Sequence, residues 1–195
     1  MSRTATSDVS ADTSARDAAE AGGTTSFVLG IDPGASTGLA GYAPSAGPRQ
    51  RGRLVFVTSA GPLPTCRLIA AWRRAGLVLS AVVEDSRSLP VYARHAGKGR
   101  GERDRVARSV GRIDCLTELY LDLLRSLSVP ARCVEPVREA KWDAAALRRL
   151  TGFEGPTNQH GRDAARLVWT DVGPVGPSAP HRRGAEGSGR AVRQR

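Results

Sequence analysis

Phe27-Val28-Leu29-Gly30-Ile31-Asp32-Pro33-Gly34-Ala35-Ser36-Thr37-Gly38-Leu39-Ala40 is the stretch that most limits what this chain can fold into, because an apolar run ends there on one carboxylate. A short apolar run bounded by Gly and Pro reads as a buried strand. An acid at its end must be solvated, paired or bound to a metal. Pro33-Gly34 forces a turn, and Leu39-Ala40-Gly41-Tyr42 resumes an extended pattern, so the spacing predicts a hairpin that returns beside the first strand.

A third strand is expected at Arg53 to Thr58, and a helix at Pro64 to Ala75, with Leu68, Ile69 and Trp72 inward and Arg67, Arg73 and Arg74 outward. Leu77 to Asp85 predicts a fourth strand, again apolar and again ending in acid, in Glu84-Asp85. A strand, helix, strand unit favours a parallel crossover. Ser86 to Arg103 reads as a mobile basic loop. From Asp104 to Leu127 a wide apolar stripe predicts a long helix that packs on the sheet and, secondarily, on a second subunit. Ala131 to Glu135 reads as a short fifth strand stopped by Pro136, followed by a helix over Val137 to Leu150 and a last helix from about Asn158 to Thr170. His160 and Asp163 fall in the first turn of that last helix. They are three apart and share a face.

The division expected is one domain over residues 26–172, with tails at 1–25 and 173–195 too poor in large apolar residues to offset the entropy of ordering. The formal charge of +10 divides into −2, +8 and +4 over the N-terminal tail, the domain and the C-terminal tail, so the folded part is itself basic. Such a field favours a polyanion, nucleic acid above all, although only two of the 29 basic residues are lysines, a bias that GC-rich coding also produces. Cys66, Cys115 and Cys133 match no metal or redox spacing and are expected to be buried, reduced thiols. No apolar leader or span is present, so no membrane role and a cytoplasmic location are expected.

Two carboxylates ending strands and a third in a late helix make an acidic cluster if the strands are neighbours. Hard divalent cations bind such clusters, and a basic surface around an acidic hole suits metal-dependent phosphodiester hydrolysis. Each residue also has a plainer reading. Asp32 can cap its turn, Asp163 can complement a helix dipole, and His160 can be a surface residue at a helix start. Strand alternation alone leaves open whether Glu84 or Asp85 points at Asp32. Lys141 either contacts the scissile phosphate or attacking water, or lies on a solvated helix face. Arg87, Arg94, Lys98, Arg100 and Arg103, with Tyr92 among them, form either a DNA-backbone clamp with a base-stacking ring or a solvated loop.

Gly30-Ile31-Asp32-Pro33-Gly34, Val82-Val83-Glu84 and His160-Gly161-Arg162-Asp163-Ala164 resemble, in order and spacing, the three signature motifs of the RuvC-type Holliday-junction resolvases. Gly111-Arg112, Pro136, Lys141 and Thr151-Gly152 resemble further family positions less specifically. The resemblance covers Phe27 to Trp169. It implies an α/β, ribonuclease-H-like fold with a five-stranded mixed sheet of order 3-2-1-4-5 flanked by helices. It also implies a homodimer that cuts four-way or other branched DNA with two Mg²⁺ ions, for which Mn²⁺ can substitute. By the same resemblance Asp32, Glu84 rather than Asp85, and Asp163 are metal ligands, His160 is a ligand or proton-transfer group, and Lys141 belongs to the catalytic set. The link between fifth strand and last helix is shorter than in cellular resolvases, which implies a divergent or phage-type member.

Two alternatives of other classes stand beside that reading. One is a non-catalytic DNA-binding relative of the same fold. The other is an actin-like ATPase or sugar kinase, whose phosphate loop also opens with an Asp-x-Gly turn after a strand. That architecture needs two subdomains and a second phosphate loop, for which the chain offers only Asp171-Val172-Gly173 before a Pro.

Overall fold

A computed structural model of the chain describes residues 25–47, 50–88, 100–136 and 140–172. Its five strands are β1 (Phe27–Asp32), β2 (Thr37–Ala43), β3 (Arg53–Ala60), β4 (Val78–Glu84) and β5 (Ala131–Val134); its helices are α1 (Pro62–Arg74), α2 (Arg100–Ser126), α3 (Ala144–Thr151) and α4 (Gln159–Asp171). The strands form one sheet in the order β3-β2-β1-β4-β5. β1, β2 and β3 are antiparallel neighbours, whereas β4 runs parallel to β1 and β5 parallel to β4. This is the ribonuclease-H-like arrangement expected above, and the described residues hold that one sheet rather than the paired subdomains of a sugar kinase.

The two-residue period of the strands sends alternate side chains to two cores. Phe27, Leu29 and Ile31 of β1 pack with Ile69 and Trp72 of α1 and Tyr120 and Leu124 of α2. Val28 of β1 and Val82 of β4 pack on the other face with Leu147 of α3 and Ala164, Leu167 and Val168 of α4. Both faces of the central strands are therefore covered, which explains why β1 and β4 read as near-continuous apolar runs. The turn after β1 is tied down from the first core: Thr37 Oγ1 donates to the Gly34 carbonyl at 2.9 Å and lies 2.6 Å from the buried Tyr120 hydroxyl.

Local chemistry sets the helix ends. α1 has proline at its start and is followed by Gly76 at φ 72°. The Asp143 carboxylate caps α3 by accepting from the Ala146 N–H at 2.6 Å, and Gly152, also at φ 72°, closes it. Asn158 caps α4, accepting from the Gly161 N–H at 2.9 Å.

Several expectations change. The helix expected from Val137 begins at Ala144, because Asp143 offers an N-cap and residues 140–143 have no regular structure; Lys141 thus lies on a connecting segment. The expected basic loop contains a short 3₁₀ turn over Ser86–Ser88, and α2 already starts at Arg100. On α2, Leu119 is exposed while Thr117, Tyr120 and Leu124 are buried, so the inward stripe is narrower than the apolar pattern. Cys115 and Cys133 are exposed and Cys66 is half-buried, against the expected buried thiols. Cys133 follows from β5 being an edge strand, whose first three residues are exposed. The expected tails lie outside the described residues, save residue 25 at the border of the first. No helix among the described residues is long and apolar enough to cross a membrane.

Candidate active site

Parallel pairing aligns Gly30 with Val82 and Ile31 with Val83, so one step further along the same register Asp32 comes beside Glu84. Both share the parity of Val28 and Val82 and therefore look toward α4. Asp85 points the other way. Its carboxylate accepts from the Arg87 backbone N–H at 3.0 Å and from the Arg87 guanidinium at 2.8 Å through each oxygen, and the same guanidinium reaches Glu118 at 3.0 Å. Alternation thus settles which of the two adjacent acids joins Asp32.

Helix α4 supplies the other half. It lies so close to β1 and β2 that a β-carbon at Gly30 would come within 2.5 Å of the Ala164 carbonyl oxygen, and one at Gly38 would overlap the carbonyl of His160. Gly38 is the register partner of Asp32. Glycine at these two positions lets the first turn of α4 settle on the sheet at the level of the acids. His160 Nδ1 stands 3.6 Å from Asp32 Oδ2. Both oxygens of Asp163 are engaged: Oδ2 accepts from Lys141 Nζ at 2.7 Å and Oδ1 from Gln159 Nε2 at 2.8 Å.

These groups line one cleft of about 470 Å³, which Arg112 of α2 and Arg166 of α4 also enter. Asp32 and Asp163 keep only 15% and 13% of their side-chain surface, whereas His160 and Lys141 keep 49% and 68% and sit at the mouth. Burial, then the charge of Asp163, pushes the Asp32 carboxyl up to about 7, against a partial pull downward from Lys141. Burial likewise raises Glu84 to about 7, with Asp32 and Asp163 adding to the rise and Lys141 and Arg166 opposing it. The Lys141 ammonium is held above its ordinary range, first by its bond to Asp163 and then by Asp32 and Glu84. Even with Lys141 opposing it, burial and the neighbouring carboxyls make the ionised forms of Asp32 and Glu84 costly in this cleft.

A divalent cation beside these carboxyls would offset the cost of ionising them. Among the described residues no group of three or more His, Cys, Asp or Glu side chains is drawn together tightly enough to hold an ion as it stands. The donors still fit Mg²⁺, which takes oxygen ligands, keeps several waters and is commonly held by one or two carboxylates together with substrate phosphate rather than by a closed protein cage.

Of the residues singled out in the sequence, Asp32, Glu84, His160, Asp163 and Lys141 come together. Arg87 does not: it belongs to the Asp85–Glu118 cluster away from the cleft. Tyr92, Arg94 and Lys98 lie outside the described residues, and Arg100 and Arg103 fall on the first turn of α2. Gln159 and Arg166 escaped the sequence reading. Their spacing from Asp163, four before and three after, places all three on one helix face and was the available signal.

No family model and no curated protein matches the sequence. Among solved structures, the chain is similar to Thermus thermophilus RuvC, with 18% identity over 72% of this chain and 90% of that one and a TM-score of 0.45. It is also similar to T. thermophilus RuvC in complex with a Holliday junction substrate, with 20% identity, coverages of 72% and 89% and a TM-score of 0.44. Likenesses of this degree assign no chemistry, which rests on the side chains in the cleft.

Proposed function

We propose that this chain is a metal-dependent endodeoxyribonuclease, selective for four-way or related branched DNA and acting as a homodimer. The observation that carries the reading is the meeting of Asp32, Glu84, Asp163 and His160 in one cleft of a strongly basic chain. Asp32 and Glu84, whose proton affinity is raised by burial and by the charge of nearby Asp163, gain nothing structurally from that proximity; a site that takes up cations and a phosphodiester gives it a use.

Asp32, Glu84, Asp163 and His160 would hold two Mg²⁺ ions, which would supply Lewis-acid stabilisation of the scissile phosphate and acidify an attacking water. The protein's own groups bind, orient and move protons. Lys141 and Arg112, at the rim, offer positive charge to the phosphate backbone and position the strand over the acids. His160 is exposed at the mouth with its Nδ1 toward Asp32, where its ring can accept a proton from a water entering the cleft. The net charge steers a polyanion toward the protein without reading its sequence. Two cuts on opposed strands of a junction call for two such clefts related by a twofold axis.

The test is a cleavage assay on four-way, flap and linear DNA with Mg²⁺ and with chelator. Junction cleavage that needs Mg²⁺ and is abolished in a folded Asp32→Asn variant is the expected result. Undiminished cleavage by that variant would sink the proposal, and junction binding in a gel shift without metal-dependent cleavage would replace it with a non-catalytic DNA-binding role.

A further inference from the structure

Lys141 sits on a segment without regular secondary structure, and its side chain is two-thirds exposed, yet its ammonium is 2.7 Å from Asp163 Oδ2. A solvated ion pair from a long side chain holds its geometry weakly. Two arginines of α4 hold the backbone on either side of it instead. Arg162 Nε donates to the Trp142 carbonyl at 3.0 Å, and Arg166 Nη1 donates to the Ala140 carbonyl at 2.8 Å. They are four residues apart, hence one above the other on the helix, and the carbonyls they take belong to the two neighbours of Lys141. Arg166 is 5% exposed, so its guanidinium has few positions open to it.

Arg162 reaches Asp163 by a second route. Its Nη1 donates to the Thr157 carbonyl at 3.1 Å and to Thr157 Oγ1 at 3.2 Å, and its Nη2 donates to Gln159 Oε1 at 3.0 Å. An amide whose oxygen accepts from Arg162 must present its NH₂ elsewhere, and that NH₂ is the donor to Asp163 Oδ1. One planar guanidinium therefore serves several acceptors at fixed angles, which a lysine could not do.

We propose that Arg162 and Arg166 are positioning residues that grip the carbonyls on either side of Lys141 and so seat its ammonium on Asp163 inside the acid cleft, while Arg162 also orients the other Asp163 oxygen's partner, Gln159. The importance of this clamp for catalysis rests on the nuclease reading above; its existence does not. It explains how an irregular segment, far from α4 in sequence, delivers a cation to three carboxyls.

The chain has two lysines, so the full-length protein labelled with ¹⁵N-lysine gives two side-chain resonances, assigned with Lys98→Arg. Lys141 is expected to give a slowly exchanging ammonium signal in the wild type. That signal is expected to disappear in Arg162→Met and in Arg166→Met, with circular dichroism showing both variants folded. A Lys141 signal that persists in folded Arg162→Met, or that is absent from the wild type, overturns the proposal. Should the buried Arg166 prove necessary for folding, Arg162→Met, at a half-buried position, decides alone. Junction cleavage is measured separately: an inactive wild type with a seated Lys141 defeats the nuclease reading and leaves the clamp, and an active one without the signal defeats the clamp only.

Discussion

The backbone of Gly38 lies directly beneath the carbonyl of His160, so the strand paired with β1 and the first turn of α4 touch without any side chain between them. Gly38→Ala must push His160 and the helix start off the sheet, and Gly161, which faces the Thr58 carbonyl from the same turn, leaves little room for the shift. The expected cost is about 1–3 kcal/mol of stability, as for an overpacked core. Divalent-metal affinity should fall with it, because His160 and Asp163 move together. Chemical denaturation and metal titration calorimetry on the same variant check both.

Stability without metal should fall as pH rises. Asp32 and Glu84 have folded values of about 7 against ordinary values of 3.8 and 4.5. Between those limits the folded state binds more protons than the unfolded state, so unfolding free energy declines as pH rises and levels off above about 7. Melting temperature in chelator should therefore be higher near pH 5 than near pH 8. Asp32→Asn should flatten the dependence, and Mg²⁺ should raise the melting temperature chiefly at the alkaline end, where the carboxylates are free to bind it. A metal-free melting temperature that increases from pH 5 to pH 8 would contradict the burial of these two acids.

Arg112 and Arg87 should behave differently toward DNA. Arg112 enters the cleft from α2, whereas the Arg87 guanidinium is committed to Asp85 and Glu118. If Arg112 contacts a phosphate, Arg112→Ala weakens binding to every sequence and reduces the salt dependence by about one counterion. Arg87→Ala should leave that slope unchanged. Binding isotherms at several salt concentrations distinguish the two.

Thr37 and Tyr120 share a hydrogen bond of 2.6 Å with both residues fully buried. Tyr120→Phe and Thr37→Val each remove one partner and should cost about 1–3 kcal/mol, and the double variant should cost less than the sum of the two single losses. The double-variant cycle should show a positive coupling. Because the pair braces the turn after Asp32 from the opposite core, metal affinity should weaken in both single variants as well.

The framework of this domain was visible in its amino acids because both central strands are covered on two faces and so carry uninterrupted apolar runs. Asp32 and Glu84 were visible because acids at the end of such runs have no ordinary place in a core, and Asp163 because it shares the first turn of the last helix with His160. The choice between Glu84 and Asp85 was not, since parity matters only once the register against β1 is known. Lys141 was assigned to a helix that starts later, at Ala144, where Asp143 supplies the N-cap. The role of Arg166 was not legible, because nothing in a single chain tells an arginine that reaches a backbone carbonyl from one that reaches water. The exposed cysteines were misjudged for a similar reason. The usual burial of thiols says nothing about an edge strand such as β5.

The two-residue period of β4 has a consequence for how this chain tolerates change in length. Glu84 and Asp85 are neighbours with opposite duties, one turned to the acid cleft and the other to Arg87. A single-residue insertion or deletion within β4 would exchange them, delivering to the cleft the carboxylate that anchors the 3₁₀ turn and stranding the other beside a guanidinium. The hydrophobicity of the strand would survive such an event almost untouched. Its chemistry would not, so loops on either side can vary in length while the count of residues within β4 cannot.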